Sequence, residues 1–250
     1  MAKIRIDKLL VEQGMVNSRQ RACALIMAGK VLVNETAITK AGERVEETAN
    51  VRIKGEDNPF VSRGGLKMEG ALNDLNLNVE GKTILDVGAS TGGFTDCCLQ
   101  RGATHVYAVD VGTNQLAYSL RCDARVTSME QINARGITPS MFPAPAQIAV
   151  IDVSFISITK LLKATAACLT EDGQVLAMVK PQFEVGKEKV GKGGVVRSDA
   201  DRQEAVNAVV RYATSIGLTE TGRSESKLPG PKGNLEIFVL LEKKKQEPGQ

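Results

Sequence analysis

Thr83-Ile84-Leu85-Asp86-Val87-Gly88-Ala89-Ser90-Thr91-Gly92-Gly93-Phe94 is the stretch on which the fold turns. An apolar strand runs into a glycine-rich turn, and the turn opens a helix predicted over 94–101. Glycines belong where φ is positive or where a ligand nears the backbone. Such a unit is the first crossover of a doubly wound sheet, whose ligands bind at the carboxyl ends of the strands. Working outward, strands are predicted at 83–87, 105–109, 147–151, 174–179 and 236–241. Helical stretches fall between them, 201–216 among others. The alternation implies an α/β class with a mostly parallel, Rossmann-like sheet covered on both faces. The segment 219–227 is expected to pair with the last strand, which follows Pro229-Gly230-Pro231.

The turn asks for a ligand. Asp110 ends the next strand, about 20 residues on, where a carboxylate can accept from both hydroxyls of a ribose. Three readings compete. The dinucleotide pattern G-x-G-x-x-G is not met, since Gly88 is followed by Ala89, Ser90 and Thr91. A purely structural turn accounts for Asp86 or Asp110 singly but not for the pair. S-adenosylmethionine has a ribose and a methionine end but no pyrophosphate, and it needs a glycine loop, an early acid and a ribose acid. Its expected contacts are Asp86, Gly88, Ser90, Thr91, Gly92, Gly93, Phe94, Asp110, Val111 and Asp152. Glu130 and Asn133, after a third strand region, are placed toward the adenine, with a plain loop as the alternative.

The first 60 residues form a separate small unit. Ile6, Leu9 and Leu10 recur at helical spacing up to Gly14. Ser18 is an N-cap candidate for a second helix with Ala22, Leu25 and Ile26 on its apolar face, stopped by Gly29. Val31, Val33, Ile38, Val45 and Val51-Arg52-Ile53 read as short strands, the first ones around the turn-prone Asn34. Residues 1–45 carry eight basic side chains (Lys3, Arg5, Lys8, Arg19, Arg21, Lys30, Lys40, Arg44) against four acids. That excess suits phosphates, and equally suits a solvated surface. A turn-rich connector covers 54–60. The expected domains are 1–60 and 61–245, with a frayed tail at 246–250.

Composition narrows the field. The chain has 250 residues, 32 Lys+Arg against 29 Asp+Glu, one histidine and no tryptophan. Its 42% hydrophobic content is enough for a sizeable core, which argues against a disordered chain. Neither a secretory apolar stretch nor a membrane-spanning run is found, so a cytoplasmic protein is expected. Cys23, Cys97, Cys98, Cys122 and Cys168 form no C-x-x-C pair and read as reduced thiols. A histidine-rich metal site is excluded by His105 standing alone, and no metal or obligate protein partner is expected. With aromatic residues at 4%, an extended base-stacking platform is not expected.

Two resemblances join these halves. R-I-D-K-L-L…G…S-R-Q-R-A…I-M-A-G-K-V-L-V-N, from Arg5 to Arg44, resembles the S4 RNA-binding domain. One departure is Glu35, where that family commonly has a turn glycine. D-V-G-A-S-T-G-G-F resembles the FtsJ-type RNA methyltransferase signature. Together with V-S-R-G-G-L-K at 61–67, D-V-S-F-I-S at 152–157, V-K-P-Q-F-E-V-G at 179–186 and L-P-G-P-x-G-N-x-E at 228–236, nearly the whole chain resembles the TlyA-type, or hemolysin-A-like, family. The resemblance implies methyl transfer from S-adenosylmethionine to a ribose 2′-hydroxyl of ribosomal RNA, at a cytidine. It implies a Lys-Asp-Lys-Glu set at Lys67, Asp152, Lys180 and Glu236. Lys180 is read as proton acceptor, with Lys67 as the cation that favours its neutral form and as a positioning group. Asp152 and Glu236 are read as orienting groups.

Ser18-Arg19 and the second helix, with Lys3, Arg5, Lys8, Arg21, Lys30 and Lys40, are expected to face RNA. Arg63 and a mobile basic loop carrying Lys187, Lys189, Lys192 and Arg197 are expected to join them. Cys97, Cys98 and the scattered methionines read as packing, and His105 lies away from the expected site. Two other classes remain open: an RNA-binding assembly factor with an idle methyltransferase fold, and a membrane-active hemolysin.

Overall fold

The computed structural model describes residues 3–16, 18–54, 58–230 and 232–244. Pro231, part of the connector and the expected frayed tail lie outside the described residues. Contacts divide the chain into two compact units, Met1–Asn58 and Pro59–Gln250.

The first unit runs β1 (Lys3–Arg5), α1 (Ile6–Glu12), α2 (Arg19–Met27), β2 (Val31–Val33), β3 (Thr36–Ile38), β4 (Arg44–Glu46) and β5 (Val51–Ile53). Ser18 caps α2, its hydroxyl accepting the Arg21 amide at 3.2 Å. Ile6, Leu9, Leu10, Leu25, Ile26 and Val31 close a core between the helices and strands. β2 pairs antiparallel with both β3 and β5, and β1 with β4. The β2–β3 hairpin turns on Asn34 and Glu35, both at positive φ (47° and 66°). Two left-handed residues in a two-residue loop are what the strand twist demands, and glycine fits the second best. Here Glu35 takes that place and pairs with Arg52 at 2.5 Å. β1 has no counterpart in the sequence reading. Three residues that lead directly into a helix carry too little alternation to announce a strand.

The second unit runs α3 (Arg63–Asp74), β6 (Thr83–Val87), α4 (Gly93–Gln100), β7 (His105–Val109), α5 (Tyr118–Arg121), β8 (Val126–Met129), β9 (Ala146–Ile151), α6 (Thr159–Ala167), β10 (Leu169–Val179), α7 (Pro181–Glu184), α8 (Asp199–Ser215), β11 (Leu218–Glu225) and β12 (Ile237–Lys243). The sheet order is β11-β12-β10-β9-β6-β7-β8. β8, β7, β6, β9 and β10 are parallel to their neighbours, and β12 runs antiparallel between β10 and β11. This is the class I methyltransferase arrangement of a Rossmann-like sheet. Leu85, Val87, Ala149 and Ile151 pack toward α6 and α8, and Ile84, Val106, Ile148 and Val150 toward α3 and α4. Alternate residues of each strand therefore face different layers, and both are apolar. β10 starts five residues before the predicted strand, because Leu169 pairs with Ala146 ahead of a register shift. The chain order reverses between β6 and β9, which is where such sheets open a crevice for ligands.

Candidate active site

The crevice begins at the turn after β6. Gly88 has φ +87°, and a Cβ there would collide with the backbone carbonyl oxygen of Asp152 at the end of β9. Gly92 holds φ +95° as the N-cap of α4, where a Cβ would strike Leu120. Glycine is thus required for close passage of chain past chain as well as for backbone sign. Asp110 ties this turn to the next: its carboxylate accepts the Ser90 amide at 2.8 Å and the Gly112 amide at 2.7 Å.

Asp86 takes no direct part in the cavity wall. It is fully buried, accepts the Thr95 hydroxyl at 2.6 Å, and its other oxygen has no hydrogen-bond partner among the described residues. Burial raises its carboxyl to about 7, helped by the nearby charges of Asp152 and Asp110, against the Thr95 hydroxyl, which lowers it. It props the turn from beneath.

Four charged side chains meet across the crevice. Lys67 from α3 forms a buried ion pair with Glu236, which stands just before β12. Asp152 follows β9 and Lys180 follows β10, and these two pair at 2.5 Å. Lys180 Nζ also donates to Ser154 Oγ at 3.0 Å. All four line one cavity of about 600 Å³ together with Gly88, Ser90, Thr91, Gly93 and Phe94. The pairing corrects one expectation. Lys67 is not a spare cation presented to Lys180, because Glu236 neutralises it, and Lys180 answers to Asp152 instead. Each pair joins residues far apart in the chain, so no spacing rule announces which lysine meets which acid.

The other expected contacts are more dispersed. Gly92, Asp110, Val111, Glu130 and Asn133 lie outside the cavity wall. The Glu130 carboxylate accepts the amides of Asn114 at 2.6 Å and Gln115 at 3.1 Å, which hold it below its ordinary pKa, Asn114 foremost. It shapes the loop after β7. Asn133 caps a short turn through the Arg135 amide at 3.1 Å. Val111 is exposed beside Asp110.

The basic loop is anchored near its end. Gly191 bridges Val195, and the buried Asn234 holds the loop by donating to the Gly194 carbonyl at 2.8 Å and accepting the Val196 amide at 3.0 Å. Lys189 pairs with Asp201 at 2.8 Å, while Lys187, Lys192 and Arg197 are exposed. Arg63 is exposed and lines the cavity. In the first unit, Asp7 is 1% exposed and accepts from Arg5 at 2.9 and 3.0 Å and from Arg19 at 2.7 Å. The Arg5 hydrogen bonds, aided by Arg19, hold its carboxyl far below the usual range despite burial. Lys8 pairs with Glu12 at 3.2 Å. Lys3 and Lys40 are exposed, and Arg21 and Lys30 half-buried.

The sequence reading overlooked Ser154, Phe155, Gln182, Lys232 and Asn234, all of which line the cavity, as does Phe183, which it placed with the basic loop. Each lies in or beside a quoted motif, yet nothing in the residue type alone assigns a part. Phe155 is 91% exposed with φ +66°, and its ring lies 5.2 Å from that of Phe183. Gln182 Oε1 is buried without a hydrogen-bond partner among the described residues. The described residues contain no group of three or more His, Cys, Asp or Glu able to hold a metal ion. None of their helices is long and apolar enough to cross a membrane.

Comparison with known proteins agrees with this geometry. The FtsJ-like methyltransferase family profile matches residues 60–243, and the S4 domain profile matches residues 4–51. The 16S/23S rRNA (cytidine-2′-O)-methyltransferase TlyA of Mycobacterium tuberculosis is 45% identical over 240 residues, covering 96% of this chain and 90% of the relative. A solved structure of a hemolysin-named protein from Streptococcus thermophilus is 46% identical, with a TM-score of 0.76 over 97% of this chain and 89% of that one. The N-methyltransferase NodS of Bradyrhizobium japonicum shares only the fold, at 11% identity and a TM-score of 0.51 over 73% of this chain and 98% of that one. A switch-point cavity ringed by two lysine–carboxylate pairs, on a chain matched almost end to end, leads to one conclusion: this protein belongs to the FtsJ-like methyltransferase family, as a TlyA-type member with an N-terminal S4 domain.

Proposed function

We propose that this protein transfers a methyl group from S-adenosylmethionine to the ribose 2′-hydroxyl of a cytidine in ribosomal RNA, in the cytoplasm, with its S4 domain holding the RNA. The observation that carries the reading is the meeting of Lys67, Asp152, Lys180 and Glu236 in the cavity that the Gly88–Phe94 turn walls. The name of the M. tuberculosis relative supports the nucleoside and the position of the methyl group.

The cofactor fits the residues present. A cavity of about 600 Å³ is within the range of about 300–1,000 Å³ for such ligands. The turn would hold its ribose side, with Asp110 fixing the turn through the Ser90 amide. When bound, S-adenosylmethionine supplies a methyl group already activated by its sulfonium. The chain's own task is to align the hydroxyl oxygen with that carbon and to relieve the hydroxyl of its proton. Lys180 and Asp152 form the polar corner nearest the end of β9. Lys180 is the proposed proton acceptor in its free-amine form, reached when its own extra proton has passed to solvent, and it leaves the step as the ammonium paired with Asp152. Lys67 and Glu236 form a second, more deeply buried pair that positions the acceptor ribose. Exposed Arg63, Lys187, Lys192 and Arg197 are the proposed phosphate contacts of this unit. Arg5, Arg19, Lys3, Lys8, Arg21, Lys30 and Lys40 serve the S4 domain, with Ser18 setting the start of α2. Binding of this kind rests on phosphate charge and RNA shape.

The test is transfer of labelled methyl to ribosomal subunits lacking the modification. Label at one cytidine that blocks alkaline cleavage supports the reading. Cofactor binding without transfer to either subunit would replace it with an RNA-binding factor on an idle fold.

A further inference from the structure

The segments that follow β9 and β10 are joined by three contacts in succession. Lys180 meets Asp152 at 2.5 Å and Ser154 at 3.0 Å. The Phe183 ring lies 5.2 Å from that of Phe155. Glu184 accepts the Ser157 hydroxyl at 2.6 Å and the Ile158 amide at 2.8 Å. The first contact belongs to the charged centre. Glu184 stands outside the cavity wall, and the proposed chemistry gives it no part.

Between these pins the backbone is strained. Phe155 holds φ +66° with its ring almost fully in solvent. A bulky side chain in the left-handed region persists only where its surroundings over-determine it. The exposed ring gains little burial of its own, so the constraint comes from the two ends of the segment. Lys180 pins one end at Asp152. Glu184 pins the other, giving one carboxylate oxygen to a side chain and the other to the backbone. Its carboxyl is raised by burial, against the lowering effect of those same two donors.

We propose that Glu184 is a positioning residue for methyl transfer: its carboxylate sets the path of 152–158, so that Asp152 and Phe155 face the acceptor nucleoside. The proposal rests on the methyltransferase reading above and adds a residue to it. Glutamine at 184 can keep both bonds. Its carbonyl accepts the Ile158 amide and its NH2 donates to Ser157 Oγ, whose own proton turns to Thr159 Oγ1 at 2.7 Å. Alanine can keep neither.

Two measurements on the full chain test this: amide exchange of 152–158, and kinetics on unmethylated ribosomal subunits with S-adenosylhomocysteine affinity measured alongside. For Glu184→Ala, exchange at Ile158 should speed up. Its kcat/KM for RNA should fall about 30-fold, less than the about 100-fold that a 1 Å misplacement can cause. S-adenosylhomocysteine affinity should stay within about threefold, the scale of an indirect effect. Glu184→Gln should restore the exchange and kcat/KM. Should Glu184→Ala fail to fold, Ser157→Ala removes half of the clamp from the other side and should give a smaller effect of the same kind. Unchanged exchange, or faster exchange with kcat/KM intact, overturns the proposal. Equal loss of cofactor affinity and turnover also overturns it, since that is what general loosening gives. If the wild-type chain methylates neither subunit, the functional reading fails, and the exchange result alone still decides whether Glu184 clamps the segment.

Discussion

Asp7 and Asp86 are both buried aspartates, one in each unit, and they are treated in opposite ways. Asp7 is surrounded by two guanidiniums whose outer parts reach solvent. Asp86 has Thr95 on one oxygen, no hydrogen-bond partner on the other among the described residues, and two further carboxylates nearby. A buried charge is tolerated when it is paired, and otherwise takes up a proton. The first unit therefore uses its buried acid to hold cations on its surface. The second turns its charges inward, pair against pair in a cavity, and raises the carboxyl of its buried Asp86.

The largest expected effect tests the inward half of this contrast. Lys180→Ala should reduce kcat for methyl transfer by about 1,000-fold, with cofactor affinity little changed. Rapid-quench measurement with labelled S-adenosylmethionine checks it. Near-normal turnover would remove Lys180 as proton acceptor and leave its pair with Asp152 a structural feature. Next, Lys67→Met leaves Glu236 buried and unpaired, at a cost of about 3 kcal/mol. Denaturant unfolding should show the loss in the second unit's transition, and a loss under 1 kcal/mol would mean that water reaches Glu236 as readily as a lysine does.

The two aspartates should also separate by pH. The folded-state pKa of Asp7 lies below its unfolded value, so its contribution is present above about pH 4 and disappears as pH falls through the folded value. Asp86 titrates higher in the folded chain, at about 7. The folded state then holds the extra proton from about pH 4 upward, and stability declines as pH rises toward 7. Asp7→Asn should cost about 2 kcal/mol at pH 7, moderated because its arginine partners are half in solvent. Asp86→Asn should gain on the wild type between pH 5 and pH 8. Unfolding curves of both variants at the two pH values decide this, and parallel behaviour would erase the contrast. The smallest effect concerns the hairpin. Glu35→Gly relieves a left-handed glutamate worth about 1 kcal/mol and gives up an exposed ion pair worth less. A modest rise in the first unit's melting temperature is expected, and a fall would show that the Arg52 pair outweighs the strain.

Legibility followed the range of the interactions. The strand at 83–87, its glycine turn and the helix after it are local: apolar run, turn residues and cap lie within a dozen positions. The Ser18 cap and the Asn34 turn were readable for the same reason. The exchange of partners between the two lysines was not, because Lys67 and Glu236 meet only once α3 and β12 have packed onto the same sheet. Nor was the anchoring of the glycine-rich basic loop. Its composition suggests mobility, yet Asn234, about 40 residues beyond it, satisfies two of its backbone groups. Phe155 and Glu184 were visible as letters in motifs, without any sign of a strained segment pinned at both ends.

By itself, then, the sequence determined the α/β class, the position of the crevice at the end of β6 and the kinds of groups gathered there, since periodicity, turn chemistry and strand ends are properties of short windows. Only the tertiary structure decided which acid neutralises which lysine, which carboxyl is raised by burial and which loops are held. Those depend on distances of a few ångströms and on exclusion of water, and both arise only when remote segments close on one another.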